Sequence, residues 1–188
     1  NLLYFYTEQG DFVIDPMTGS GTTIDVCAFM GRKIYGYDVH PLPDREDIIE
    51  HDMTSGWPAR TAQAKLIFWD PPYFKKKDDG YGLKSISRLE KSEYLEFFVK
   101  CAQDIPSKFS GCLAFLCSDF NDEDDPEQNI FFWDYVNIFM DAGWKPERRI
   151  QIPLSTQQVH PDIVNRFRKE KRMARLNRDL VIMKRGGS

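Results

Sequence analysis

Short apolar runs and longer stripes of helical period alternate along this chain. Asp11 to Asp15, Arg32 to Tyr37, Ile48-Ile49, Ala64 to Trp69, Gly111 to Cys117, Arg149 to Pro153 and Leu180 to Met183 have the length and bounding breakers of strands. Between them lie segments that suit helices. Asn1 to Gln9 reads as a helix end stopped at Gly10, and Gly21 to Met30 as a helix closed by Gly31. Ser92 is placed to cap a helix over Glu93 to Ile105, in which Tyr94, Phe98, Cys101 and Ile105 repeat at the spacing of a buried stripe. Ile130 to Met140 predicts an aromatic-rich helix. Pro161 can open another over Asp162 to Leu176. Such alternation predicts an α/β fold, an open, mostly parallel sheet with helices on both faces. No repeat or linker breaks the pattern, so 1–188 is expected to be one domain.

Composition narrows this picture. At 41% hydrophobic residues the chain can build a core, and its net charge of −4 is unusual for a nucleic-acid binder, so any positive surface has to be local. Cys27, Cys101, Cys112 and Cys117 fall in or near apolar runs, with no C-x-x-C pair and no Cys/His spacing for zinc. They read as core thiols of a reducing compartment, and no apolar run approaches the length of a membrane span. A cytoplasmic protein without metal is expected. The chain opens at Asn1 and closes on Gly186-Gly187-Ser188, which fits a piece of a longer protein.

Two stretches carry candidate chemistry. In the first, the strand Asp11 to Asp15 runs into Asp15-Pro16-Met17-Thr18-Gly19-Ser20-Gly21-Thr22-Thr23 and then into a helix. Gly19 and Gly21 permit a sharp turn and close approach of backbone to a ligand. Ile24 stands where a dinucleotide fingerprint wants a third small residue, and no Gly-Lys-Ser/Thr follows, which disfavours NAD or FAD and excludes a P-loop. In the second, the run Ile67-Phe68-Trp69 ends in Asp70-Pro71-Pro72-Tyr73. Each proline pushes its predecessor towards extended backbone and offers a carbonyl without an N–H, so this corner is stiff and rich in acceptors. It suits a planar group bearing an NH2. The bland alternative is a strand followed by a Pro-Pro turn.

Together these stretches resemble the S-adenosylmethionine-dependent amino-methyltransferases of DNA, which modify adenine N6 or cytosine N4. Asp15 to Thr23 is similar to the family's cofactor loop, with Met17 where Phe is usual, and Asp70-Pro71-Pro72-Tyr73 is similar to its catalytic loop. Many members with this cofactor-loop wording place the catalytic loop first in sequence; here it comes second. The resemblance implies a Rossmann-like seven-stranded sheet with an antiparallel last strand. It implies S-adenosyl-L-methionine as cofactor, bound by Asp15, Pro16, Thr18, Gly19, Ser20, Gly21 and Thr22, and it suggests that Leu2 to Phe5 pack on the methionine end.

Asp38 ends the second strand about twenty residues after the glycine loop, a position from which a carboxylate accepts ribose hydroxyls. The resemblance gives it that role, and it sets Asp52 near the adenine amino group, with Glu50 competing. Asp15, Asp38, Asp52 and Asp70 would all fall at the carboxyl ends of strands, where such sheets bind ligands.

The catalytic expectations follow from amine chemistry. An exocyclic amine is a poor nucleophile until it becomes tetrahedral. Asp70 and the Pro71 carbonyl can hold its hydrogens and aim its lone pair, Pro72 stiffens the corner, and Tyr73 would stack on the base. A duplex base reaches such a corner only when flipped out. In the family that the chain resembles, aspartate at the first position of the loop is commoner for adenine N6 and serine for cytosine N4, so the resemblance favours adenine. RNA guanine-N2 methyltransferases share this motif order and remain an alternative, as does a cofactor-binding subunit that needs a partner for specificity. Lys75-Lys76-Lys77 opens a polar, Gly-containing loop suited to a lid. Arg168, Lys171, Arg172 and Arg175 would share one helical face and form a phosphate-binding ridge for nucleic acid.

Overall fold

The computed structural model describes residues 2–75, 85–122, 124–153, 161–171 and 177–186. The elements in chain order are α1 (Leu2–Tyr6), β1 (Phe12–Asp15), α2 (Thr22–Phe29), β2 (Lys33–Asp38), β3 (Ile48–Glu50), β4 (Leu66–Trp69), α3 (Lys91–Asp104), β5 (Cys112–Cys117), α4 (Phe132–Asp141), β6 (Trp144–Pro153), α5 (Pro161–Lys169) and β7 (Asn177–Arg185). The seven strands form one sheet in the order β3-β2-β1-β4-β5-β7-β6. All neighbours are parallel except β7, which runs antiparallel to both β5 and β6. The expected Rossmann-like sheet with an antiparallel last strand is therefore what the chain builds.

Alternation within the strands creates two cores. Side chains of successive strand residues point to opposite faces. Ile67, Trp69, Leu113, Phe115, Val181 and Met183 face α3 and α4, and Leu66, Ala114, Leu116, Leu180 and Ile182 face α1 and α2. β5 is buried along its whole length, so its sequence is a continuous apolar run and not an alternating one. Trp69 is fully buried among Trp57, Phe98 and Phe115, whose ring centroids lie 5.3, 5.5 and 5.3 Å away.

Element boundaries depart from expectation where a side chain or another backbone segment claims the backbone groups. α3 starts at Lys91 and is capped by Glu90, not Ser92, because Glu90 and Glu93 form a reciprocal capping box. α4 starts at Phe132. Ile130 instead exchanges both backbone hydrogen bonds with Phe120, at 2.7 and 2.9 Å, and so cannot join the helix. β6 begins at Trp144, five residues before the expected strand, and pairs with β7 through a register shift between Pro146 and Arg148. α5 ends at Lys169, and Lys171 sits at a φ of 54° beyond it, so Arg168 and Lys171 do not share a helical face. Arg172 and Arg175, and most of the suggested lid after Lys75, lie outside the described residues. No helix among the described residues is long and apolar enough to cross a membrane.

Candidate functional site

The carboxyl ends of β1, β2 and β4 open onto a cleft of about 850 Å³. That volume lies in the upper part of the roughly 300–1,000 Å³ range of ligand sites. Asp15, Pro16, Thr18, Gly19, Ser20, Thr22, Asp38, Asp52, Asp70 and Pro72 line it, together with Leu2 and Leu3 of α1. The four strand-tip aspartates thus converge, as a parallel sheet requires of residues that each follow a strand. Gly21, Pro71 and Tyr73 do not line it. Tyr4 and Phe5 point to solvent, at 70% and 73% exposure, and take no part in the cleft.

The glycine loop is shaped by its own backbone and by Asp38. Gly21, the residue before α2, has a φ of 87°, a left-handed conformation that L side chains rarely adopt. Its N–H donates to the Thr18 carbonyl at 3.0 Å. Asp38 Oδ2 accepts the Gly19 N–H at 2.9 Å, while Oδ1 accepts the His40 N–H at 2.9 Å. Asp38 therefore ties β2 to the glycine loop as well as facing the cleft. Asp52 has a similar double character, since its Oδ1 caps a short 3-10 turn by accepting the Thr54 N–H at 2.9 Å and its hydroxyl at 2.7 Å.

Asp15 is 2% exposed, and burial pushes its carboxyl up to about 7. The nearby charge of Asp70 adds to the rise, and hydrogen bonds involving Thr23, the Met17 N–H and Thr18 oppose it. A buried acid at the root of a ligand cleft, prone to hold its proton, is stabilised as an anion by a cationic ligand.

The Asp-Pro-Pro-Tyr corner is held from three sides. The Tyr73 hydroxyl donates to Asp70 Oδ1 at 2.8 Å. Arg178 Nη1 lies 3.6 Å from Asp70 Oδ2 and 3.3 Å from the Tyr73 hydroxyl. The Pro72 carbonyl accepts the Tyr94 hydroxyl at 3.0 Å, and Tyr135 in turn donates to Tyr94 at 3.3 Å. Burial raises the Tyr73 phenol well above its usual value, the Asp70 carboxylate adds to that and Arg178 opposes it, so Tyr73 stays a hydrogen-bond donor. In this arrangement its hydroxyl orients the carboxylate.

Three contacts at the site have no signal in the local sequence. Arg178 reaches the corner because β7 is antiparallel to β5, which brings the start of a late strand to the end of the middle ones; in sequence it is one basic residue among several. Tyr94 belongs to a core stripe and also carries a polar tip used by Pro72. Met17, the departure from the usual loop wording, accepts the Trp69 indole N–H on its sulfur at 3.3 Å and so links the glycine loop to β4. Lys75 turns to Asp122, 3.9 Å away. Among the described residues no group of His, Cys, Asp and Glu is arranged to hold a metal.

The family model for N6/N4 DNA methylases matches residues 1–42, a minority of the chain that contains the glycine loop and Asp38 but not Asp70. Among curated proteins no sequence matches. Solved structures resemble the whole chain. A TehB-like S-adenosylmethionine-dependent methyltransferase from Corynebacterium glutamicum superposes with a TM-score of 0.58 at 13% identity, over 98% of this chain and 85% of that one. The 1,6-didemethyltoxoflavin N1-methyltransferase of Burkholderia thailandensis, solved with bound 1,6-didemethyltoxoflavin and S-adenosylhomocysteine, gives 0.60 at 10% identity, over 99% and 76%. A methyltransferase from Haloferax volcanii, in complex with the activator Trm112, gives 0.58 at 14% identity, over 97% and 85%. The chain has the fold of S-adenosylmethionine-dependent methyltransferases.

Proposed function

We propose that this protein transfers a methyl group from S-adenosyl-L-methionine to the exocyclic amine of a DNA base, adenine N6 before cytosine N4. The observation that carries the reading is the meeting of two distant loops in one cleft: the glycine loop with Asp15 and Asp38, and the Asp70 corner. The residues suit the cofactor. Asp38 ends β2, where ribose hydroxyls are accepted in such sheets. Buried Asp15 complements a cation, Leu2 and Leu3 offer an apolar wall, and a Cβ on Gly19 would project into open space, so backbone is exposed to a ligand there.

When bound, S-adenosylmethionine supplies an electrophilic methyl carried on a sulfonium. The chain's own residues do the rest. Asp70, oriented by Tyr73 and Arg178, accepts an amine hydrogen and directs the nitrogen lone pair. The Asp70 carboxylate also stabilises positive charge growing on that nitrogen. Holding two reactants in line can replace much of a barrier.

The aspartate of the loop and the family model over the glycine loop support DNA. The order of the two loops is that of RNA guanine-N2 methyltransferases and favours them as the second reading. Incubation with labelled cofactor and, separately, duplex DNA, single-stranded DNA and tRNA decides between them. Label in DNA, lost in Asp70→Ala while cofactor affinity changes far less, is the expected result; label in tRNA alone would overturn the DNA assignment. Arg168, Lys171, Arg172 and Arg175 belong to the same proposal as phosphate contacts, without a shared helical face for Arg168 and Lys171. Replacing one of these cations by glutamine removes a phosphate partner and lowers the slope of log affinity against log salt by about 0.9 on duplex DNA.

A further inference from the structure

Behind the glycine loop, outside the cleft, stands Arg45. It belongs to the segment between β2 and β3, which begins directly after Asp38 and whose Val39, His40 and Leu42 form a wall of the cleft. A backbone hydrogen bond of 3.0 Å from the Arg45 N–H to the Leu42 carbonyl makes a turn of the residues between them. From that turn the guanidinium reaches back across the chain. Nη1 donates to the Ser20 carbonyl at 2.7 Å and Nη2 to the Gly21 carbonyl at 3.3 Å. The same fork meets both carboxylate oxygens of Asp25, in the first turn of α2, at 3.3 and 3.0 Å. Nε and Nη2 meet the two oxygens of Asp47 at 2.9 and 2.8 Å.

We infer that Arg45 is a positioning residue for cofactor binding, a staple that locks the two opposing walls of the cofactor cleft in register. The inference rests on the cofactor reading above and adds a residue that touches neither cofactor nor substrate. Three physical points carry it. First, a cation beside the N-terminus of a helix is repelled by the helix dipole. The two carboxylates of Asp25 and Asp47 overcome that repulsion, which shows a local arrangement built to hold the guanidinium there. Second, the fit to the loop is close. The glycine is needed for its backbone angle, and a Cβ on it would displace the guanidinium from the place it takes here. Third, Asp25 and Asp47 are 66% and 48% exposed. The Arg45 side chain is 19% exposed, but its aspartate partners are solvated, and ion pairs to solvated carboxylates contribute little to folding. The consequence of losing Arg45 therefore falls on the loop it holds and not on the fold as a whole.

A lysine cannot replace this fork. One ammonium has three donors and no planar geometry, whereas the guanidinium serves four separate partners at once. Arg45→Lys and Arg45→Gln are expected to melt close to the wild-type temperature. The Michaelis constant for S-adenosylmethionine and the dissociation constant of S-adenosylhomocysteine should rise by roughly tenfold or more, the scale of losing one hydrogen bond to a charged group. Turnover at saturating cofactor should stay within about twofold, because the binding term alone is affected. Hydrogen exchange gives a readout independent of the cofactor. The Gly19 and Gly21 amides, bonded to Asp38 and to the Thr18 carbonyl, should exchange about tenfold faster in both variants, as expected when a local opening becomes easier. Wild-type exchange at these two amides in both variants overturns the staple. So does unchanged affinity for S-adenosylhomocysteine. Should the wild-type protein itself bind no cofactor, the proposed function falls, and the exchange measurement still decides whether Arg45 holds the loop. Should Arg45→Gln fail to fold, Arg45→Lys keeps the charge and carries the test.

Discussion

Arg178 and Asp70 approach to 3.6 Å although they lie far apart along the chain. The pair joins the last strand to the candidate catalytic corner, and the Tyr73 hydroxyl bridges it, 2.8 Å from Asp70 and 3.3 Å from Arg178. The Asp70 carboxylate, proposed as the acceptor for the amine, is thereby held from two directions. Arg178→Met removes one of them. Losing a charged hydrogen-bond partner costs about 1.5–3 kcal/mol, so turnover should fall by roughly ten- to a hundredfold while S-adenosylhomocysteine binds as before. Unaltered single-turnover rates would show that Arg178 has no part in orienting Asp70.

Tyr73 separates stacking from orientation. Its hydroxyl holds Asp70, so Tyr73→Phe should slow methyl transfer by roughly three- to tenfold, the worth of one ordinary hydrogen bond. Tyr73→Ala, which also removes the ring, should be slower still. Full activity in Tyr73→Phe with a dead Tyr73→Ala would leave the ring alone as the functional part.

Asp38 holds the glycine loop and is proposed to hold the ligand as well. Asp38→Ala deletes the acceptor for the Gly19 N–H as well as the expected acceptor for ribose. Cofactor affinity should drop by about ten- to a hundredfold or more. Asp38→Asn keeps one oxygen in place and should retain part of it. Calorimetry that finds wild-type affinity in Asp38→Ala would remove the carboxylate from the cofactor site.

The buried carboxyl of Asp15 predicts a pH signature. Its pKa is raised from the ordinary 3.8 to about 7, so between those values the unfolded chain has released a proton that the folded one keeps. This group therefore favours the fold most below pH 3.8; its contribution declines as pH rises to about 7 and is level above that. A cationic cofactor binds the ionised form better. Its affinity should climb roughly tenfold between pH 6 and pH 8, and Asp15→Asn should flatten the climb. A wild-type affinity that does not vary with pH in this range would mean that Asp15 does not face the cofactor's charge.

Much of this protein was legible before folding was considered, and the reason is local. Strand β5 reads as a strand because Cys112 to Cys117 are buried on both faces and all must be apolar or small. The glycine loop and the Asp-Pro-Pro-Tyr corner are legible because backbone angle and missing N–H groups are properties of glycine and proline themselves. Asp15, Asp38, Asp52 and Asp70 could be placed at one edge because each follows a strand and parallel strands end together. The helix starts were less legible. Glu90 outcompeted Ser92 as a cap, and Ile130 was taken by pairing with Phe120, since such contests depend on neighbours in space.

What only the tertiary structure decided are the partnerships between residues far apart in sequence. Arg178 became the partner of Asp70 because β7 turns antiparallel and lies beside β5, a choice that no residue near Arg178 announces. Met17 became an acceptor for Trp69, and Arg45 a brace for the Ser20 and Gly21 carbonyls, for the same reason. Local chemistry dictates which conformations a segment can adopt. Which long side chains then share a charge or a hydrogen bond is set by packing the whole sheet and its helices into one solution, because the distance between two atoms in space is not a property of either segment alone.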